Sequence, residues 1–169
     1  VFLPANQSES DEYLKQVREE LEAWYKASSG KAKMPPTIDL QTAKRDYIDN
    51  KRCYGSGRAA GYCDSSNTKA ISLDGHLSMK VLRHEMTHSN DEKRLFGFPK
   101  NLKGESKMWN EFRKGGIPEW HINYAFNNPE EFIAVAMEGD LQKYSEEFIK
   151  QLHEFGLPKW ATKIAKLAR

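Results

Sequence analysis

The sequence predicts an α+β fold that is mostly helical and carries a small mixed sheet. Most apolar residues recur at helical spacing, in segments that start at capping residues and end at glycine. Two short segments, 37–40 and 68–73, read instead as strands, the second because its polar and apolar residues alternate. The second runs through the turn Asp74-Gly75 into a helix. We expect this strand to lie beside that helix as the edge strand of the sheet, with a free side.

The composition fits one globular domain, and residues 1–169 are interpreted as a single domain. Hydrophobic residues make up 38% of the chain and charged residues 30%. The net charge of +2, from 26 basic and 24 acidic residues, argues against a nucleic-acid partner. No apolar run approaches the ~20 residues of a membrane helix, so no membrane contact is expected. A monomer is expected, and the short apolar start at residues 1–4 is expected to be a mature or excised terminus.

The first third of the chain starts with a helix and continues into the strand segments. Apolar residues at helical spacing define the helix, and Ser28-Ser29-Gly30 ends it: Leu14, Val17, Leu21, Trp24 and Tyr25. Residues 41–52 fit a short helix or a loop. The glycine-rich residues 54–63 lack a phosphate-loop pattern and are interpreted as a turn and sheet edge. Cys53 and Cys63 fit a disulfide or two free thiols equally well.

The rest of the chain is predicted to be helical. Helices are expected over residues 77–90, 106–114, 129–139, 145–155 and 158–168, with an aromatic connection of unassigned form over 117–126. Gly115-Gly116 ends the second of these helices. Asn128 and Pro129 open the third, with Glu131 placed as in a capping box. Because this third helix is apolar on most sides, we expect it to be buried.

The segment His84-Glu85-Met86-Thr87-His88 contains candidate metal ligands and a candidate catalytic base. On a helix, His84 and His88 leave the same face one turn apart. Two imidazoles at this spacing can bind one Zn²⁺ and leave positions open. Glu85 stands beside the first histidine, where a carboxylate can take a proton from a zinc-bound water. A solvated helix face that happens to carry two histidines is the alternative.

A catalytic zinc site needs a third protein ligand. The elongated motif with a third histidine is excluded because Asp91 and Arg94 occupy its glycine and histidine positions. His121 lies in a segment without a ligand pattern, and a lone histidine among aromatic residues is more often packed or exposed. A carboxylate that opens the buried helix 129–139 is better explained by metal binding. Glu131 is therefore the predicted ligand, with Glu130 as the alternative and capping as the competing role of Glu131.

The motif at residues 84–88, Tyr124 and the run Glu-Phe-Ile-Ala at residues 131–134 together resemble the family of the anthrax lethal factor catalytic domain and the bacterial Pro-Pro endopeptidases. In that family the third ligand is the glutamate of a Glu-Phe-x-Ala segment, and a tyrosine seven residues earlier faces the site. Tyr124 precedes Glu131 by seven residues. Val135 departs from the family, which often has a second glutamate there. The resemblance covers roughly residues 68–137.

The resemblance implies a zincin-like fold and a zinc-dependent endopeptidase. It implies that Tyr124 donates a hydrogen bond to the developing oxyanion, with a packed aromatic residue as the alternative. Asp91 fits a recurring acidic position of the family and is expected to orient a ligand imidazole, with a solvated charge as the alternative. A protein or peptide substrate is expected to bind along the edge strand. Secretion or translocation from a bacterium is favoured by the resemblance alone. A catalytically inactive, zinc-stabilised protein-binding module is the alternative function, and a zinc hydrolase with a non-peptide substrate is a further one.

Overall fold

The structure is a computed structural model, and it describes residues 11–34, 38–41, 61–63, 71–74, 79–93, 97–98 and 104–164. For the strands and for residues 11–14, the description covers the main chain only. Six α-helices lie in these residues: α1 Asp11–Ala27, α2 Met79–Asn90, α3 Glu105–Lys114, α4 Glu119–Asn127, α5 Phe132–Met137 and α6 Glu146–Glu154. Three 3-10 turns accompany them: Pro129–Glu131, Leu141–Lys143 and Lys159–Lys163. The strands are β1 Ile38–Gln41, β2 Gly61–Cys63 and β3 Ile71–Asp74.

The fold class differs from the predicted one. Among the residues whose side chains the structure describes, 72% are helical, in six α-helices, and none lies in a strand. The three strands are defined by main-chain pairing and are three or four residues long. They form a small part of the described chain, most of which lies in helices. The predicted α+β, zincin-like class is therefore wrong, and the fold is helical.

The predicted edge strand is also wrong. β3 covers the end of the segment predicted as a strand, and it lies in the middle of the order β1-β3-β2. It pairs in parallel with β1, where Ile71 faces Ile38, and antiparallel with β2, where Ser72 faces Tyr62. Both main-chain sides of β3 are therefore used. An extended peptide cannot add to β3 in the way the sequence suggested.

The described hydrophobic core is built by helices around α2. Leu82 and Met86 lie one turn apart on α2 and are fully buried, as are Trp24 of α1 and Phe132 of α5. These side chains belong to one cluster that extends to Ile164 near the end of the described chain. The helix α2 contacts both α1 and α5, so the helix that carries the histidine pair is packed from two sides.

Most helix boundaries in the described chain agree with the sequence. Ser29 and Gly30 have positive φ angles after α1, and Gly116 has one after α3, which confirms these predicted helix ends. Residues 117–126, predicted without a form, contain α4. The predicted helix 129–139 divides into a 3-10 turn and the short α5, and the described part of the predicted helix 158–168 starts as a 3-10 turn over Lys159–Lys163.

Several predictions fall on other parts of the chain. Those for residues 42–60 and 165–168, including the pairing of Cys53, lie outside the described residues. Among the described helices, none combines the length and the apolar character that a bilayer crossing requires.

Candidate metal centre

Two polar contacts fix α2 against the N-terminal part of the chain. The Arg83 guanidinium donates to both carboxylate oxygens of Glu20, at 2.8 and 2.9 Å. At the other end of α2, the Asn90 side-chain oxygen accepts from the Lys33 main-chain N–H at 2.7 Å, and its amide donates to the Lys33 carbonyl at 3.1 Å. The helix is thus held at Arg83 and at Asn90, on either side of the two imidazoles.

The structure brings three of the predicted side chains to one point. His84 and His88 turn their Nε2 atoms toward each other at 3.1 Å. Oε2 of Glu131 lies 2.8 Å from each of these two nitrogens. Glu131 is 47 residues from His84 in the chain, so the fold assembles this triangle.

A 3-10 turn and an aromatic cluster place Glu131. The turn Pro129–Glu131 starts with the Glu131 N–H donating to the Asn128 carbonyl at 2.9 Å. The next residue, Phe132, is fully buried, with its ring edge-on to Phe112 and Phe155 at centroid distances of 5.0 and 5.4 Å. Because edge-to-face rings resist rotation of the segment, the carboxylate beside Phe132 is directed toward α2.

The predicted capping box is not formed. Asn128 makes no side-chain cap and instead donates its side-chain amide to the Tyr124 carbonyl at 2.8 Å. The Glu131 carboxylate faces the imidazoles, so its side chain is engaged there and not at the helix start. Glu130 is exposed. Of the two carboxylates weighed as the third ligand, Glu131 is therefore the one that meets the histidine pair.

The charges in the triangle are strongly coupled. Burial raises the pKa of Glu131, but hydrogen bonds from His84 and His88 outweigh burial and hold that pKa well below its usual range. Burial lowers the pKa of His84, but its hydrogen bonds to Glu131 and Glu138 outweigh burial and raise that pKa to about 10. A metal ion would have to displace these protons, so metal affinity at this site must fall as the solution becomes acidic.

The three atoms are close enough together to hold a metal ion. With both Nε2 atoms donating to one carboxylate oxygen, two like-charged N–H groups face each other across 3.1 Å. A single cation at the centre removes this conflict. Ligand atoms of a tetrahedral zinc site lie about 3.3 Å apart, given bonds of about 2.0–2.1 Å. Widening the triangle by a few tenths of an ångström is enough, and the N/N/O donor set suits zinc.

Glu85 lies in the same cluster of charges. Glu85 is only 6% exposed. Burial raises the pKa of Glu85, the charges of His84 and His88 oppose this shift, and those of Glu131 and Glu138 add to it. A buried carboxylate that holds its proton more tightly than usual is suited to accept a proton from water near neutral pH.

Tyr124 reaches the site from α4. Its side chain is 42% exposed, and its ring stacks on His121 at a centroid distance of 5.7 Å and an angle of 3°. Burial of the hydroxyl, the charge of Glu131 and a hydrogen bond with Glu131 raise the pKa of Tyr124 above its usual value. The phenol therefore stays protonated at neutral pH and is available as a hydrogen-bond donor beside Glu131.

The predicted role of Asp91 beside a ligand imidazole stays a prediction. Asp91 Oδ1 accepts from the Lys93 main-chain N–H at 2.9 Å, in the turn after α2. Glu138 is a carboxylate in contact with a predicted ligand imidazole, and its Oε2 lies 2.9 Å from His84 Nδ1. The same oxygen is 2.5 Å from His121 Nε2. Neither Glu138 nor His121 was predicted as a site residue.

One signal in the sequence could have identified Glu138. It follows Glu131 by seven residues, two helical turns, so both carboxylates lie on one face of a helical segment. The argument that a buried helix carries a carboxylate toward the core only when the charge is paired applies to both positions. For His121, the only local hint is its spacing of three from Tyr124, which places both on one side of α4.

Comparison with known proteins gives no match: no family model, no curated protein and no solved structure matches this chain. The resemblance to the lethal factor family therefore rests on the motifs at residues 84–88, 124 and 131–134. Secretion or translocation, which was expected from that resemblance, remains a prediction.

Proposed function

We propose that this chain is a zinc-dependent endopeptidase. The observation that carries the proposal is the convergence of His84 Nε2, His88 Nε2 and Glu131 Oε2 within 2.8–3.1 Å, with the buried Glu85 beside them. A structural zinc site usually has four protein ligands, whereas three ligands with a neighbouring carboxylate are typical of a hydrolytic site.

Different residues of the chain have different roles in peptide hydrolysis. His84, His88 and Glu131 would hold Zn²⁺, which supplies Lewis-acid polarisation of a carbonyl and activation of a water. Glu85 accepts the proton of the attacking water and passes it to the leaving amine. The Tyr124 hydroxyl donates a hydrogen bond to the oxygen on which negative charge develops. Such a donor contributes most in the transition state, because the charge on that oxygen is largest there.

The test is cleavage of a mixed peptide library, followed by mass spectrometry. The zinc-loaded protein is expected to cleave peptides. This activity should be lost when a chelator is added and should return when zinc is restored. Glu85→Gln should still bind zinc but lose at least about 100-fold in cleavage rate, since the proton acceptor is gone. The control is Glu92→Gln, the same change at an exposed residue just after α2, which should keep full activity.

The outcomes separate the competing functions. Full activity in Glu85→Gln would remove Glu85 from the reaction. A protein that binds one zinc tightly and cuts no peptide would instead support a zinc-stabilised binding module. Hydrolysis of non-peptide esters or amides without peptide cleavage would move the chain to another class of zinc hydrolase.

A further inference from the structure

We propose that Glu138 and His121 form a positioning pair that holds the His84 imidazole for metal binding. Glu138 Oε2 lies 2.9 Å from Nδ1 of His84 and 2.5 Å from Nε2 of His121. The three groups come from different parts of the fold: α2, the residue after α5, and α4. The inference rests on the proposed metal site and concerns how the chain prepares it.

The chemistry of the carboxylate decides the direction of both hydrogen bonds. An ionised carboxylate can only accept, so His84 donates from Nδ1 and His121 donates from Nε2. With the hydrogen held at Nδ1, the lone pair of neutral His84 is at Nε2. That nitrogen is the one that faces His88 and Glu131. Glu138 thereby selects the tautomer and ring orientation that a metal ion needs.

His121 serves this arrangement at a cost in stability. Its Nδ1 is buried and, among the described residues, has no hydrogen-bond partner. An unpaired buried polar atom costs about 1–3 kcal/mol. A phenylalanine would fill the same space without that cost. What the imidazole adds at position 121 is therefore the hydrogen bond to Glu138, and this bond limits the carboxylate to one orientation.

The main chain around Glu138 is rigid. The Glu138 N–H donates to the Val135 carbonyl at 3.0 Å, and the next N–H, of Gly139, donates to Ala136 at 3.1 Å. The Tyr144 hydroxyl donates to the same Ala136 carbonyl at 2.7 Å and lies over Gly139, where a Cβ atom would overlap it. The turn that carries Glu138 is thus fixed by local hydrogen bonds and by a packed tyrosine ring.

A second metal ion is the competing interpretation of the same cluster. Nδ1 of His84, Nε2 of His121 and an oxygen of Glu138 are close enough to hold an ion. However, Glu138 Oε2 and His121 Nε2 are 2.5 Å apart, whereas two ligand atoms of one zinc ion lie about 3.3 Å apart. The short separation fits a charge-assisted hydrogen bond, which is typically shorter than a neutral one.

The test measures zinc affinity by competition with a chromophoric chelator, for the wild type, Glu138→Gln and His121→Phe. Each variant is expected to bind zinc about 10- to 100-fold more weakly, the usual effect of removing a partner of a ligand histidine. Glu130→Gln, the same charge change at an exposed neighbouring residue, should bind like the wild type. Wild-type affinity in both pair variants would overturn the proposal.

Two further readouts separate positioning from a structural role. The visible absorption of the Co²⁺-loaded protein should shift in both variants, because it reports ligand geometry, while the melting temperature of the metal-free His121→Phe stays at or above the wild-type value. An unchanged Co²⁺ spectrum together with a lower melting temperature would make the pair structural only. Two zinc ions per wild-type chain, falling to one in His121→Phe, would replace the pair by a second metal site. A wild type without zinc affinity would refute the proposed function itself.

Discussion

At the scale of single residues, the candidate centre combines two histidines one helical turn apart with carboxylates that the fold brings to them from distant parts of the chain. His84 and His88 are linked by helical spacing, which the sequence shows directly. Glu131 could be inferred from a charge at the start of an apolar helix. Glu138 contacts a residue 54 positions away, and His121 becomes informative only through Glu138. The spacing of Glu138 from Glu131 marks it as a candidate, but its contacts with His84 and His121 follow only from how α2, α4 and α5 pack.

The pair Glu130 and Glu131 offers a sharp residue-scale test. Glu131→Ala removes the oxygen that lies 2.8 Å from both imidazoles, so zinc affinity should fall by more than about 100-fold. Glu130→Ala removes the same charge from an exposed side chain one residue earlier and should change zinc affinity less than about 3-fold. Equilibrium dialysis with metal analysis measures both. A loss in Glu130→Ala as large as in Glu131→Ala would show that the site depends on charge and not on ligation.

At the scale of elements, helices with clear caps and apolar periodicity were predicted, and α4 was not. Its sequence is rich in Trp, Tyr, Ile, Phe and Asn, which have only moderate helix propensity. Ile122 and Ala125 lie three residues apart and are fully buried, so packing stabilises this helix. The strand β3 shows the same limitation, since its central position in the sheet depends on pairing with β1, more than 30 residues earlier in the chain, as well as with β2.

The contact between α1 and α2 allows an element-scale prediction. Glu20 is only 4% exposed and accepts from both Arg83 and the buried Trp24 Nε1, the latter at 3.1 Å. Glu20→Ala leaves the largely buried Arg83 without this partner and should reduce the free energy of unfolding by about 3 kcal/mol. Urea denaturation measures the loss. The neighbouring Glu19 contacts Lys15 at 4.0 Å with both side chains exposed, so Glu19→Ala should cost less than about 0.5 kcal/mol.

Equal losses for Glu20→Ala and Glu19→Ala would mean that the Arg83 contact does not support α2. A loss confined to Glu20→Ala would also show why a helix with a polar, histidine-bearing face is stable in this fold. Its buried side holds Leu82 and Met86, and its polar contacts are satisfied by α1.

At the scale of the whole molecule, the predicted fold class was wrong because two short strand-like segments were taken as evidence for an α+β fold. The described core instead consists mostly of helical side chains, and several long-range contacts meet at the candidate metal centre. That centre joins α2 to the turn Pro129–Glu131, which precedes α5, across more than 40 residues of chain. A metal ion bound at such a junction would bind the folded state only, so its affinity would add to the stability of the fold.

Zinc should therefore raise the melting temperature of the whole chain. At a free zinc concentration about 100 times the dissociation constant, binding adds about 2.7 kcal/mol, and a chain of this size gains roughly 2–4 °C per kcal/mol. The expected increase is about 5–11 °C by differential scanning calorimetry, reversed by a chelator. Glu131→Ala should abolish the increase because the ion loses the ligand that ties α2 to the later helices. An equal increase in Glu131→Ala would mean that zinc stabilises the chain at a different site.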